Sequence, residues 1–299
     1  MRSKKWLLAS MILVAFAVAA IIVVARETHK AEKQRAVSVR LLWLNQSQFA
    51  GVYAAKEEGY YRDASLSVQI VPGGPGVNPI LLVASGSETF GIASATDIVL
   101  ARSKGVPVRA LSTIVPENPT CFFARKNSGI STVRDFVGKR VGTKLGFELD
   151  YYLDAMLERE GVKRSDLDVI PIQFDLSPFF RGDVDVWCGY RINEPNIVRE
   201  RGIEINEILP SDYGVEVPGD VLFTSEDFFH SHADLTWAFV DATWRGWKFS
   251  RDNRELALTH VLEGCGSFGT GRILLVFNKI EWFGAAESWS PPALMGCRG

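Results

Sequence analysis

The chain has 299 residues, with 33 Lys and Arg against 35 Asp and Glu and a formal net charge of −2. That balance gives no basic field for holding nucleic acid, and the length suffices for two modest domains. The 4 cysteines, Cys121, Cys188, Cys265 and Cys297, include no pair at metal-ligand spacing, so neither a zinc site nor a disulfide-dense scaffold is indicated.

In chain order, Arg2, Lys4 and Lys5 precede residues 6–25, a run without charge. A basic flank before an apolar stretch is an export signal, and this one is also about the 20 residues needed to span a bilayer. Ala15-Phe16-Ala17 and Ala17-Val18-Ala19 offer small-x-small cleavage points. The segment 1–26 is therefore a cleaved signal or a membrane anchor, and its apolar continuation to Val24 favours the anchor. Either puts the protein in the periplasm or on the outer face of the cytoplasmic membrane. Residues 27–36, rich in Lys, Glu and Arg, read as a solvated tether.

Residues 37–44 are rich in β-branched residues and Leu and lose their alternation, as in a strand covered on both faces. Ser47 is placed to cap the helix that follows and Gly59 to end it. A strand at 66–71 completes a βαβ unit. The loop Pro72-Gly73-Gly74-Pro75-Gly76 leads to a helix from Asn78 to Ala84. A strand at 89–93, a helix at 96–103 and a strand at 108–115 fill one α/β lobe. A second α/β series has strands at 122–125, 140–142, 168–171, 184–188 and 203–208. Its helices are expected at 148–160, 177–181 and from Asn193 to Arg201. Residues 221–224 read as a strand returning to the first lobe, followed by helices at 225–230, 234–250 and 254–263.

The lobes are therefore 37–120 with 218–263, and 121–217. The chain crosses between them twice, near Thr120 and near Val217, and two crossings make a hinge that permits closure. Cys121 and Cys188 read as small buried residues in strands; export would permit a disulfide, but no pairing is indicated. Beyond Gly264 the helical pattern stops. Residues 264–299 read as an abnormal C-terminus, of the kind a frame shift gives, and no function is placed there.

Candidate site residues lie beyond strand ends, where open α/β sheets bind ligands. Trp43 and Asn45 follow the first strand, and Tyr190-Arg191-Ile192-Asn193-Glu194-Pro195 follows a later one. A large aromatic and an amide suit a small, flat, polar ligand. Asn193 reads as a helix cap, Asp185 as a hydrogen-bonding group across the hinge, and Tyr213 as a further contact. His230, His232 and His260 have no triad or metal partner in the pattern.

At these residues the chain resembles the thiamine-pyrimidine-synthase-like family of ABC-transporter substrate-binding proteins, within the sulfonate-, nitrate- and taurine-binding superfamily. The resemblance runs from about Val39 to Glu263. It rests on Trp43-Leu44-Asn45, Ala50-Gly51-Val52-Tyr53-Ala54-Ala55, Glu58-Gly59-Tyr60-Tyr61, Ala84-Ser85-Gly86 and Phe90-Gly91-Ile92. It continues in 135–142, Asn193-Glu194-Pro195 and Asp212-Tyr213-Gly214-Val215. It implies a type II periplasmic-binding-protein fold, two α/β lobes with a two-segment hinge. It also implies an extracytoplasmic receptor that feeds ABC permease subunits, acting as a monomer with no cofactor, no metal and no turnover. The implied ligand is a thiamine pyrimidine precursor of the hydroxymethyl or formylaminomethyl type, held by Trp43, Asn45, Tyr190, Arg191, Glu194 and Tyr213. Trp43 or Tyr190 would stack on the ring, while Glu194 and Asn45 read its edge.

The chain departs from the synthase branch of that family. The loop Gln46-Ser47-Gln48-Phe49 lacks the branch's His, and no Cys cluster exists, which argues against a synthase. Glu148 stands where the branch's phosphate loop would meet a helix start, which disfavours anions. Arg191 pulls the other way, so a sulfonate, nitrate or taurine remains the alternative. A sensory ectodomain is a further alternative.

Overall fold

The apolar and alternating runs assemble into two sheets. The computed structural model describes residues 34–264 other than Phe174. The chain starts with β1 (Arg35–Arg40), a 3₁₀ turn (Ser47–Phe49), α1 (Ala50–Glu57), α2 (Tyr60–Asp63) and β2 (Leu66–Val71). It continues through α3 (Pro79–Ala84), β3 (Phe90–Ser94), α4 (Ala95–Ser103) and β4 (Val108–Thr113). The second series has β5 (Thr120–Arg125), β6 (Arg140–Thr143), α5 (Glu148–Glu160), β7 (Asp168–Pro171) and α6 (Ser177–Arg181). It ends with β8 (Val186–Tyr190), α7 (Glu194–Glu200) and β9 (Ile205–Ile208). Then come β10 (Asp220–Ser225), α8 (Glu226–Ser231), α9 (Ala233–Asp252) and α10 (Arg254–Gly264).

The first sheet has the order β2-β1-β3-β10-β4 and the second β7-β6-β8-β5-β9. In the first, β1 runs parallel to β2 and β3, while β10 is antiparallel to β3 and β4. In the second, β6 runs parallel to β7 and β8, while β5 is antiparallel to β8 and β9. This is the two-lobed α/β architecture with two crossings, residues 114–119 and 214–219. Strands β3 and β10 are buried at every position, as expected of strands covered on both faces.

Three local expectations change. Strand β1 begins at Arg35, within the presumed tether, because Arg35 and Ala36 already pair with Leu66 and Ser67. It ends at Arg40, so residues 41–46 leave the sheet. Ser47 caps nothing: a 3₁₀ turn intervenes before α1, and the Ser47 hydroxyl is buried without a hydrogen-bond partner. Gly59 does end α1, in the left-handed region at φ 76°. The leader at 1–26 and the tail from 265 onward lie outside the described residues. Among the described residues no helix is long and apolar enough to cross a membrane.

Each lobe buries its own core, around Val39, Phe49, Phe90, Leu222 and Phe239 in one and around Phe122, Phe136, Leu153, Phe179 and Trp187 in the other. In the first lobe Phe239 of α9 stacks between Phe90 and Tyr61, with ring centroids 3.9 Å and 5.2 Å away. Helices α1 and α9 meet backbone to backbone at two glycines. A Cβ on Gly246 would lie 2.0 Å from the Gly51 carbonyl oxygen and 2.6 Å from the Ala55 nitrogen. Neither atom is the end of a flexible side chain, so the helices would have to separate. Gly246→Ala is therefore expected to lower folding stability by about 1–3 kcal/mol, the usual cost of overpacking, measured by urea denaturation. An unchanged midpoint would contradict this packing.

Candidate functional site

Four loops at strand carboxyl ends converge between the lobes. From the first lobe come the loop after β1 and the segment after β3. From the second come the loop between β6 and α5 and the turn between β8 and α7. Together with the glycine loop after β2 they enclose a cavity of about 630 Å³. The glycine loop lies against the β1 loop, with Gly73 N–H donating to the Trp43 carbonyl at 2.9 Å. A Cβ on Gly73 would fall 2.3 Å from the Leu41 carbonyl oxygen, so this approach requires glycine,.

Trp43, Tyr190 and Glu194 line the cleft, one from the first lobe and two from the second. Glu194 Oε2 accepts from the Tyr190 backbone N–H at 2.9 Å, and Oε1 lies 3.5 Å from Lys144 Nζ. Gly189 makes room for it, since a Cβ there would lie 2.4 Å from Glu194 Oε2. Asn45, Arg191 and Tyr213 lie outside the lining. Asn45 Oδ1 accepts from the Tyr53 hydroxyl at 2.6 Å, which ties the β1 loop to α1. Arg191 is half exposed and pairs with Glu207 at 3.0 Å. Tyr213 packs on the second core, its oxygen accepting from Val133 N–H at 3.0 Å. Asp185 does not bridge the hinge either: it holds Arg140 within the second lobe at 2.6 Å. Asn193 makes no side-chain cap and instead lines the cleft.

Three buried or half-buried acids surround the cleft: Glu148, which the sequence marks as disfavouring anions, and Asp97 and Asp220, which it does not mark. Glu148, the first residue of α5, is 4% exposed, with Oε1 accepting from the Tyr190 hydroxyl and Oε2 from the Tyr152 hydroxyl. Tyr152 in turn meets Thr96 of the first lobe and Asn118 of the first crossing, both at 2.8 Å. Asp220, where the second crossing enters β10, is fully buried. Its Oδ2 accepts from Gln48 at 2.6 Å and its Oδ1 has no hydrogen-bond partner. Asp97 lines the cleft near Glu148, beside the Ser94 hydroxyl that accepts its N–H at 3.0 Å.

These carboxyls are held far from their ordinary behaviour. Burial pushes Glu148 up to about 7, opposed by the hydrogen bond from Tyr190 and reinforced by the Asp97 charge. Burial likewise pushes Asp220 up to about 7, opposed by Gln48 and reinforced by Glu148. Asp97 is raised by burial, and Tyr190 is raised by burial and by the Glu148 charge. Cys121 and Cys188 are buried free thiols, and burial pushes Cys188 up to about 12, which suits packing and not nucleophilic chemistry,. Among the described residues no cluster of three or more His, Cys, Asp or Glu side chains is arranged to hold a metal.

The family model described as NMT1/THI5 like matches residues 46–257. The chain belongs to the NMT1/THI5-like family. Within it, this NMT1/THI5-like protein is 31% identical over 216 residues to the riboflavin-binding protein RibY of Chloroflexus aurantiacus, covering 70% of this chain and 61% of that one. It is 30% identical over 237 residues to the formylaminopyrimidine-binding protein of Halalkalibacterium halodurans, covering 77% and 71%. More distant relatives, at 26% identity or less, are named as 4-amino-5-hydroxymethyl-2-methylpyrimidine phosphate synthases. Among solved structures it resembles the periplasmic aliphatic sulphonate binding protein SsuA of Escherichia coli. The TM-score is 0.67 at 16% identity over 82% of this chain and 83% of that one, a likeness of fold alone. The NMT1/THI5-like chain thus has a solute-binding-protein fold with its cleft at the strand ends.

The raised carboxyls carry a pH dependence. Between the ordinary carboxylate values of 3.8–4.5 and about 7, Asp220 and Glu148 keep protons in the folded chain that the unfolded chain releases. Stability from these groups is therefore full at the acid end and is lost as pH rises through that window. Asp220→Asn removes one of them while keeping an acceptor for Gln48. Relative to the parent, its melting temperature is expected to rise between about pH 5 and pH 8. A flat or falling difference would contradict a buried, protonatable Asp220.

Proposed function

We propose that this protein is the extracytoplasmic solute-binding component of an ABC importer and holds a pyrimidine of the thiamine-precursor class in the interlobe cleft. The observation that carries this reading is the pairing of Trp43 and Tyr190, from opposite lobes, on one cleft with Glu194 and Glu148 beside them. Aromatic rings from two lobes suit the faces of a flat heterocycle. The carboxyls suit its amino edge, and Gln46 and Asn193 add donors and acceptors,. The similarity to a formylaminopyrimidine-binding protein supports the ring type. The proposed partners are the membrane-embedded permease subunits, the proposed unit is a monomer, and the proposed action is binding without turnover. The synthase alternative loses ground at the β1 loop, where Gln48 is buried and engaged with Asp220.

A second reading is a larger fused heterocycle of the flavin class. The cavity of about 630 Å³ is roomier than one substituted ring requires, and its lining includes the apolar Val77, Leu81 and Phe147. The similarity to a riboflavin-binding protein supports it. The sulfonate, nitrate or taurine alternative is weakened, because Arg191, its expected anchor, faces Glu207 away from the cleft.

Calorimetric titration of the folded chain with hydroxymethyl-, aminomethyl- and formylaminomethyl-pyrimidine, riboflavin, taurine and nitrate tests the reading. A pyrimidine is expected to bind. Trp43→Ala should weaken it by about 1–3 kcal/mol through lost ring contact, and Glu194→Gln by a similar amount, about 1–3 kcal/mol, through a mispaired donor. Riboflavin binding with no pyrimidine bound would select the second reading. Binding of taurine or nitrate alone would overturn both.

A further inference from the structure

The cleft carries a charge pattern that bears on more than recognition of the ring. Asp97, Glu148 and Glu194 line it, with Asp220 buried behind Gln48. The cations of the lining are Lys144, which pairs with Glu194, and Lys104, which stands exposed at the rim. Glu148 sits at the start of a 13-residue helix, where exposed backbone N–H groups would otherwise receive an anion,. Its carboxyl occupies that place and is fixed there by hydroxyls of Tyr190 and Tyr152. Through Tyr152 it is linked to Thr96 of the first lobe and Asn118 of the first crossing. The Asp220 oxygen left without a hydrogen-bond partner adds a second acceptor at the same seam.

We propose that Glu148, backed by Asp97 and Asp220, makes the cleft floor a charge-selective subsite that accepts an amino-bearing or protonated ring edge and refuses the phosphate ester of the same compound. This rests on the reading of the cleft as a heterocycle site and names the ligand form it admits. The groups facing Glu148 are Tyr190 from the β8 end, Tyr152 from its own helix, and Ser94 and Asp97 from the start of α4. Asp220 adds its charge from the hinge. Among the described residues the hydrogen-bond partners of Glu148 are hydroxyls, and Lys144 of the lining is paired with Glu194, so an entering phosphate would meet the Glu148 carboxyl directly.

The test, run at about pH 8 where Glu148 and Asp220 are ionised, compares each alcohol with its phosphate ester on the intact folded protein: hydroxymethyl-pyrimidine against its monophosphate, and riboflavin against its 5′-phosphate. Whichever alcohol binds, its ester is expected to bind weaker by on the order of 50-fold, the scale of one like-charge contact at a partly buried site. Glu148→Gln, which keeps the shape and one of the two accepting oxygens, should narrow that gap by at least about fivefold,. A purely structural role would weaken alcohol and ester alike and leave the ratio unchanged. An ester that binds the parent within about threefold of its alcohol, or a ratio unmoved by Glu148→Gln with an unaltered melting temperature, overturns the subsite while leaving the heterocycle reading intact. If neither alcohol binds, the heterocycle reading and the subsite fail together.

Discussion

The two crossings between the lobes run side by side, and their mutual hydrogen bonds organise everything placed around them. Gly219 N–H donates to the Val115 carbonyl at 2.9 Å, and Ile114 and Val115 N–H groups both reach the Asp220 carbonyl. Asn118 links the first crossing to the second through the Pro218 carbonyl and to α5 through Tyr152. With both connections in one ribbon, relative motion of the lobes concentrates at a few residues, as in hinge closure. The cleft lies beside that ribbon, so a ligand that touches both lobes is read by the same contacts that set their separation.

Burial of ionisable groups at this seam is costly unless they are neutral, paired or hydrogen-bonded. Glu148 satisfies the condition through two tyrosine hydroxyls, and Asp220 only in part through Gln48. A carboxyl offers Glu148 one accepting oxygen for each of two hydroxyl donors, which a single amide oxygen does not,. The remaining salt bridges lie mostly at exposed positions such as Arg35–Asp234 and Arg181–Asp183. Pairs of that kind contribute little to stability, so the cleft is where charge has consequences.

The element order was legible because each strand and helix carries its own local signal. The helix at 148–160 and the strands at 66–71 and 168–171 stand where periodicity and glycine stops put them. Boundaries shifted where tertiary pairing overrode composition, as at β1, where Arg35 joins the sheet by pairing with Leu66. Trp43 and Glu194, each following a strand end in its own sequence, lie on the cleft lining. Asn45, Arg191 and Tyr213 follow strand ends or motifs too, but partners decided their direction: Tyr53, Glu207 and Val133 N–H hold them elsewhere. Asp220 was invisible because its partner Gln48 lies 172 positions earlier in the chain. Nothing in the surrounding strand pattern marks a buried carboxyl there.

Glu148 shows how far one residue's meaning depends on the fold around it. In sequence it is an acidic residue at a helix start, where the dipole favours a carboxylate and where an acid disfavours an anionic ligand. The fold places Tyr190 over it from a strand of its own lobe and brings Thr96 and Asn118 to its neighbour Tyr152. Desolvation then outweighs the dipole and the hydrogen bonds, since the carboxyl ends up raised and not lowered,. The same position in a solvent-facing helix would be an ordinary cap-region acid. Closed between two lobes, it becomes a buried carboxyl held by two tyrosine hydroxyls.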